Sequence, residues 1–217
     1  MSGTTVESKL EQTVFIVDDD SSICEGLANL LESVGVATRS YPSAEAFTDA
    51  WNREDAGCLL LDVRLPGITG VEFQEQMRDI GIDLPIIFMT AHGDVPIVRK
   101  VMKAGAVEFL TKPFQKEELL HAVKEAFALD LARRKEDDIV RSIRTRIDSL
   151  SPREREVMAM VTAGLLNKQI AAELNLSEIM VKTHRRHMME KMQADSLADL
   201  VKMCQRAQEA AWQRRRN

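Results

Sequence analysis

Four places far apart in this 217-residue chain carry side chains able to act together: the triplet Asp18-Asp19-Asp20, then Asp62, Thr90 and Lys112. Each ends or follows a short apolar run, namely TVFIV (13–17), CLLLD (58–62), LPIIFMT (84–90) and AVEFL (106–110). Carboxylates gathered at one point repel unless a cation joins them. Oxygen donors from carboxylates, a backbone carbonyl and water suit Mg²⁺. A lysine across the pocket can neutralise a transferred phosphoryl group, and a threonine hydroxyl can donate to its oxygen. A second constellation lies near the other end. Lys182, Thr183 and Arg186 fall at i, i+1 and i+4, so on a helix they point to one side, opposite Val181, Met188 and Met192. Such a face suits a major groove, where Arg186 and Lys182 can each donate to guanine.

The first constellation requires a sheet. With VATRSY (36–41), the apolar runs make five strands separated by amphipathic segments. Ile23, Leu27, Leu30, Leu31 and Val34 share one helical face, and Leu119, Leu120, Val123, Ala126 and Phe127 share another. Asp94 with Val95 and Pro96 reads as a helix start, and Gly105 as its stop. Strand–helix alternation repeated in this way predicts a parallel sheet covered on both faces. Ligands of open α/β sheets bind beyond the carboxyl ends of the strands. Asp18, Asp62, Thr90 and Lys112 would therefore meet at one rim.

The second constellation requires short helices. Ser151-Pro152-Arg153-Glu154 has the form of a capping box with proline at the first helical position, and Gly164 marks the end of that helix. Asn167 is placed to cap a second helix ending at Leu174, with Asn175 as a left-handed stop. Ser177 caps a third running to Met192, and a fourth begins at Asp195 or Ser196. The tight link between the second and third is helix-turn-helix arithmetic. Between the two parts, Val140, Ile143, Ile147 and Leu150 restore an apolar stripe that lapses across ARRKEDD (132–138). One continuous helix, or two in series, would fit. The stripe would either serve a signalling or dimerising connector or pack on its own domain.

Charge follows the same division. Residues 1–130 hold 11 Lys and Arg against 22 Asp and Glu, a balance of −11, whereas 131–148 carry +2 and 149–217 carry +4 within a total of −5. An acidic front and a basic tail fit a chain whose tail alone meets nucleic acid. Apolar content of 45 % and charged content of 29 % indicate folded domains. No apolar run reaches membrane-helix length, so no membrane role is expected, and MSGTTVESKLEQ lacks the pattern of a signal peptide. Cys24, Cys58 and Cys204 suggest neither a disulfide framework nor a zinc site, and a reducing cytoplasm is the simplest compartment.

FIVDDD, LLLDVRLPGITG, MTAHGD and AVEFLTKPF resemble the receiver domains of two-component response regulators. SPREREVMAMVTAGLLNKQIAAELNLSEIMVKTHRRHMMEKM resembles the DNA-binding domain of the LuxR/NarL/FixJ regulators, and the whole is similar to the FixJ/StyR subgroup. The resemblance implies a doubly wound α/β receiver of five parallel strands in flavodoxin-like order at 13–130, after an extension at 1–12. A helical linker at 131–148 and an all-α helix-turn-helix domain at 149–217 would follow. It implies Asp62 as phosphoacceptor, with Mg²⁺ held by Asp18, Asp19, Asp62 and the backbone carbonyl of Arg64; Asp20 would cap the first helix. Thr90 and Phe109 would be the switch pair and Lys112 the phosphate-sensing lysine, with Lys112–Pro113 cis. Lys182, Thr183 and Arg186 would read bases, while Lys168, His184, Arg185 and Lys191 would touch phosphates. Met180 departs from the family's usual Thr. Such a chain is not a metabolic enzyme, although it catalyses its own modification.

The implied partners are a sensor histidine kinase carrying phosphohistidine, promoter DNA with two half-sites, RNA polymerase, and a second copy of the chain. Dimerisation would use Val98, Arg99, Val101, Met102 and Lys103, with Val101 or Met102 belonging instead to the core. Two other classes compete. A ligand-sensing LuxR-type regulator would need an apolar pocket in place of the acidic one. A phosphorelay adaptor would have no use for the helix-turn-helix.

Overall fold

The computed structural model describes residues 11–91, 95–103 and 105–216, with side chains at 95–97 and 213–216 outside the description. The predicted helix start at Asp94 therefore lies outside it, as do the first ten residues. The chain forms two compact units, residues 1–134 and 135–217.

In the first unit the elements run β1 (Gln12–Val17), α1 (Ser21–Glu32), β2 (Ala37–Tyr41), α2 (Ala44–Ala50), β3 (Ala56–Asp62), α3 (Gly70–Asp79), β4 (Ile86–Thr90), α4 (Val95–Lys103) and β5 (Glu108–Thr111). The long α5 (Lys116–Asp148) follows, so the connection is one continuous helix shared by the two units. The sheet order is β2-β1-β3-β4-β5 and each neighbouring pair is parallel. This is the doubly wound, flavodoxin-like order.

Both sheet faces are apolar, because successive side chains on a strand alternate sides. Phe15, Leu59, Leu61 and Phe88 join Phe47, Phe73, Met77 and Val101 in one core. Val14, Ile16, Leu60 and Ile87 join Leu27, Leu31, Leu119 and Val123 in the other. The α1 stripe differs at its end from its predicted membership. The helix stops at Glu32, so Val34 is left exposed, and Cys24 takes an inward place. The last strand also starts later than its apolar run, at Glu108.

The second unit comprises the end of α5 with α6 (Pro152–Thr162), α7 (Asn167–Leu174), α8 (Glu178–Met192) and α9 (Leu197–Arg216). Its core contains Val157, Val161, Ile170, Val181, Met188, Met192 and Leu200, together with Ile143 and Leu150, while Ile147 packs partly against it. Ile143, Ile147 and Leu150 of the restored stripe therefore serve this unit's core, and Val140 is buried as well. The predicted capping box forms. Ser151 accepts from the Glu154 backbone N–H at 3.3 Å, and the Glu154 carboxylate accepts from the Ser151 N–H at 2.8 Å. Asn175 is left-handed, with φ 58°, and Gly105 and Gly164 take φ of 92° and 88° at their predicted stops. Asn167 is not the cap of α7. Leu166 occupies that position, while the Asn167 side chain accepts from Arg185 at 3.1 Å.

Candidate functional site

The parallel register builds the rim. Val17 pairs with Leu61, Asp62 with Met89, and Thr90 with Thr111. Residues at or just past these strand ends are thus neighbours in space. Asp18 follows β1 and is buried, Asp62 ends β3 and is buried, and Thr90 ends β4 and is buried. Lys112 follows β5, and its backbone N–H donates to the Thr90 carbonyl at 2.7 Å. The Lys112–Pro113 bond is cis, as expected.

One ammonium joins two carboxylates. Lys112 Nζ lies 2.5 Å from Asp18 Oδ2 and 2.5 Å from Asp62 Oδ2. The remaining oxygens accept backbone donors: Asp62 Oδ1 from the Arg64 N–H at 2.8 Å and Asp18 Oδ1 from the Asp20 N–H at 3.0 Å. Burial pushes the Asp18 carboxyl above its ordinary range, against the opposing pull of Lys112 and the Asp20 N–H. Burial alone would lower the Lys112 ammonium, but its bonds to Asp18 and Asp62 outweigh that, and it is held above its usual value. Asp19 and Asp20 are exposed, and Asp20 caps α1 by accepting from the Ser22 N–H at 2.9 Å.

Gly70 is a site residue that sequence reasoning missed. A Cβ there would lie 2.3 Å from the Asp62 carbonyl oxygen, so only glycine lets α3 start directly beneath the carboxylate. Thr69 and Glu72 form a capping box at that start. Asp130 was also missed, although it lies at the other end of β3 from Asp62 and serves the fold rather than the site. It is fully buried in the first unit and accepts from the Gly57 N–H at 2.9 Å, from Arg133 at 2.6 Å and from Arg134 at 2.8 Å. Its Leu-Asp-Leu surroundings carry no motif; three separate donors create its role.

The predicted dimer residues fall into two groups. Val101 is 0 % exposed and belongs to the core, so it is removed from the surface set, whereas Met102 is 42 % exposed. Arg99 and Lys103 are exposed and Val98 is half-buried. Phe109, half-buried, packs against the same core as Val101. Beside it an open groove of about 690 Å³ is lined by Glu108, Glu117, Glu118 and His121 among others.

On α8, Lys182, Thr183 and Arg186 are exposed, while Val181, Met188 and Met192 are buried. Lys168 is exposed on α7, and His184 and Arg185 are half-buried. Lys191 was expected at a phosphate, yet its ammonium lies 2.6 Å from the buried Glu154 and leaves its side chain 41 % exposed. That bond, first, and the Ser151 donors hold the Glu154 carboxyl below its usual range. Among the described residues, no helix is long and apolar enough to cross a membrane.

Residues 14–124 match the response regulator receiver domain, and residues 148–204 match the bacterial regulatory proteins of the luxR family. Nodulation protein W of Bradyrhizobium diazoefficiens is 45 % identical over 201 residues, covering 93 % of this chain and 88 % of the relative. The transcriptional regulatory protein FixJ of the same organism is 40 % identical over 194 residues, covering 89 % and 95 %. The structure of the response regulator StyR aligns with a TM-score of 0.79 at 44 % identity, covering 90 % of this chain and 98 % of that one. With receiver geometry in the first unit and a helix-turn-helix in the second, the chain belongs to the response-regulator family, among the transcriptional regulators that carry a luxR-type DNA-binding domain.

Proposed function

We propose that Asp62 accepts a phosphoryl group from a sensor kinase's phosphohistidine and that this promotes dimerisation on promoter DNA. The observation that carries the reading is the bridge from Lys112 to both Asp18 and Asp62 at the strand-end rim. A strand-end carboxylate held in place by the Arg64 N–H is an oriented nucleophile. An Asp62 oxygen bonds to phosphorus as the phosphorus–nitrogen bond of the donor breaks. Lys112, already against Asp62, then shares the charge of the phosphoryl oxygens.

The donors fit a hard divalent cation. Asp18, Asp19 and Asp62 bring three negative charges against the one positive charge of Lys112, which leaves two to neutralise. Mg²⁺ suits this oxygen donor set, because it keeps water and takes substrate oxygens beside a few carboxylates. Asp18, Asp19, Asp62 and the Arg64 carbonyl would hold it, and when bound it would offset charge on the phosphoryl being moved.

Thr90 and Phe109 are the proposed switch, Thr90 turning toward the phosphoryl group and Phe109 inward. The responding surface is Val98, Arg99, Met102 and Lys103 on α4 with the acidic groove beside β5. Basic and acidic patches on one face suit an isologous pairing. In the second unit, Lys182, Thr183 and Arg186 read bases and Lys168, His184 and Arg185 contact phosphates, with Lys191 contributing through its exposed part. RNA polymerase is the further partner that transcriptional control requires.

The test is phosphorylation with acetyl phosphate and Mg²⁺, mapped by mass spectrometry. Label on Asp62, lost in Asp62→Ala and in EDTA, is expected. Label elsewhere, or undiminished label in either control, overturns the assignment.

A further inference from the structure

We propose that Ile179 reads the C5-methyl group of a thymine in the major groove, which would make it a specificity-determining residue beside Lys182, Thr183 and Arg186. The inference rests on α8 being the base-reading helix. Ile179 is 76 % exposed, more than any other large hydrophobic side chain among the described residues. It precedes Lys182, Thr183 and Arg186 by three, four and seven residues, so the four share one side of α8. All four are exposed, whereas Val181, Met188 and Met192 face the core.

The position within the helix matters as much as the face. α8 begins at Glu178, where Ser177 caps it by accepting from the Met180 N–H at 3.2 Å. Helices of this motif meet base edges with their N-terminal residues. An isoleucine there has nothing to offer a phosphate, nor the donors and acceptors of a guanine edge. The apolar feature that distinguishes one base pair from another in the major groove is the thymine methyl. Cytosine presents a bare C5 and a donor in its place.

Two neighbours extend the apolar strip. The Thr183 hydroxyl donates to the Ile179 carbonyl at 3.0 Å, which engages the polar atom within the helix and leaves its methyl for the outer face. Met180, 47 % exposed, lies next to Ile179 and beyond Thr183 around the helix. The branched Ile179 side chain is stiff at χ1, so little freedom is lost when it packs against a flat base edge. The surface is continuous with the proposed base-reading face, and its occupant is therefore the same duplex.

Deoxyuridine tests this directly, because it pairs as thymidine does and lacks only the methyl. The probe is a duplex enriched from a random-sequence library by the full-length protein with acetyl phosphate and Mg²⁺. Each thymine is replaced singly, and binding is measured for wild type, Ile179→Ala, Ile179→Val and Arg186→Ala. One replacement per half-site should weaken wild type about fivefold, roughly 1 kcal/mol. Ile179→Ala should lose a similar amount on the unmodified duplex and be indifferent to that replacement, while Ile179→Val stays sensitive. If no replacement affects wild type although Arg186→Ala loses sequence preference, the methyl contact is wrong and the base-reading helix stands. A replacement that weakens Ile179→Ala as much as wild type assigns the methyl to another side chain and also overturns the proposal. If no sequence is enriched, or Arg186→Ala keeps full preference, the underlying reading of α8 has failed.

Discussion

The Lys112 ammonium does two opposing things: it steadies Asp18 and Asp62 against each other, and it opposes a divalent cation at the same carboxylates. Lys112→Ala should therefore bind Mg²⁺ more tightly, by about tenfold, since one positive charge leaves the pocket. Titration calorimetry measures this, and unchanged or weaker binding would contradict the proposed metal-binding role. At Glu154 the expected consequence is one of pH. Its carboxyl is depressed in the folded state, chiefly by Lys191. Its contribution is thus fully present above an unfolded value of about 4.3 and is lost as pH falls through the lower folded value. Glu154→Gln should lower stability by about 1 kcal/mol at neutral pH, because Lys191 is partly solvated, and should flatten the acid limb of denaturation. An unchanged acid limb would show that the pair contributes nothing. Both residues also show what single positions disclose. Asp62 and Lys112 stood out because strand ends converge by rule, whereas the Lys191–Glu154 pair spans 37 residues and joins two helices whose packing no local pattern specifies.

At the scale of elements, α7 begins with a defect. Leu166 sits in cap geometry, φ −78° and ψ 154°, with no capping side chain, and its own N–H is taken by the Gln169 side chain at 2.8 Å. Leu166→Ser should supply the missing acceptor and stabilise the second unit by about 1 kcal/mol, read as a higher denaturation midpoint. No gain would mean that the exposed Leu166 already makes a compensating contact. The same helix explains a failed expectation. Asn167 has a capping side chain one residue too late, and Arg185 engages it instead. Strands were the most legible elements, since runs such as Cys58–Leu61 are buried throughout and broken sharply by charge. Helices α2 and α3 stayed unplaced. α2 has only seven residues, and its apolar contacts rest on Ala44 and Phe47. α3 opens on a glycine, and its start was readable only from Thr69 and Glu72. The continuity of α5 was likewise open, because the stripe lapses where Asp130 gathers Arg133 and Arg134.

For the whole molecule, the proposed response is a change of assembly. Sedimentation should show wild type dimerising with the beryllofluoride phosphoryl mimic and Thr90→Ala failing to do so. Met102→Glu should weaken that dimer by tenfold or more, through the lost apolar contact and the cost of burying a carboxylate in the interface. Val101→Ala should instead destabilise the fold by roughly 2–3 kcal/mol, because Val101 fills the core. A Met102→Glu protein that dimerises as readily as wild type would remove α4 from the interface. The boundary between the two units has a separate consequence. It falls inside a helix, at Arg134 and Lys135, and Ile143 is already part of the second core. An excised fragment starting at residue 149 discards that side chain and the half-buried Ile147, and should melt well below one starting at residue 135. The same holds for a genome. A recombination break near residue 150 would hand the recipient a second unit without Ile143, whereas a break inside α5 near residue 135 would keep that core whole.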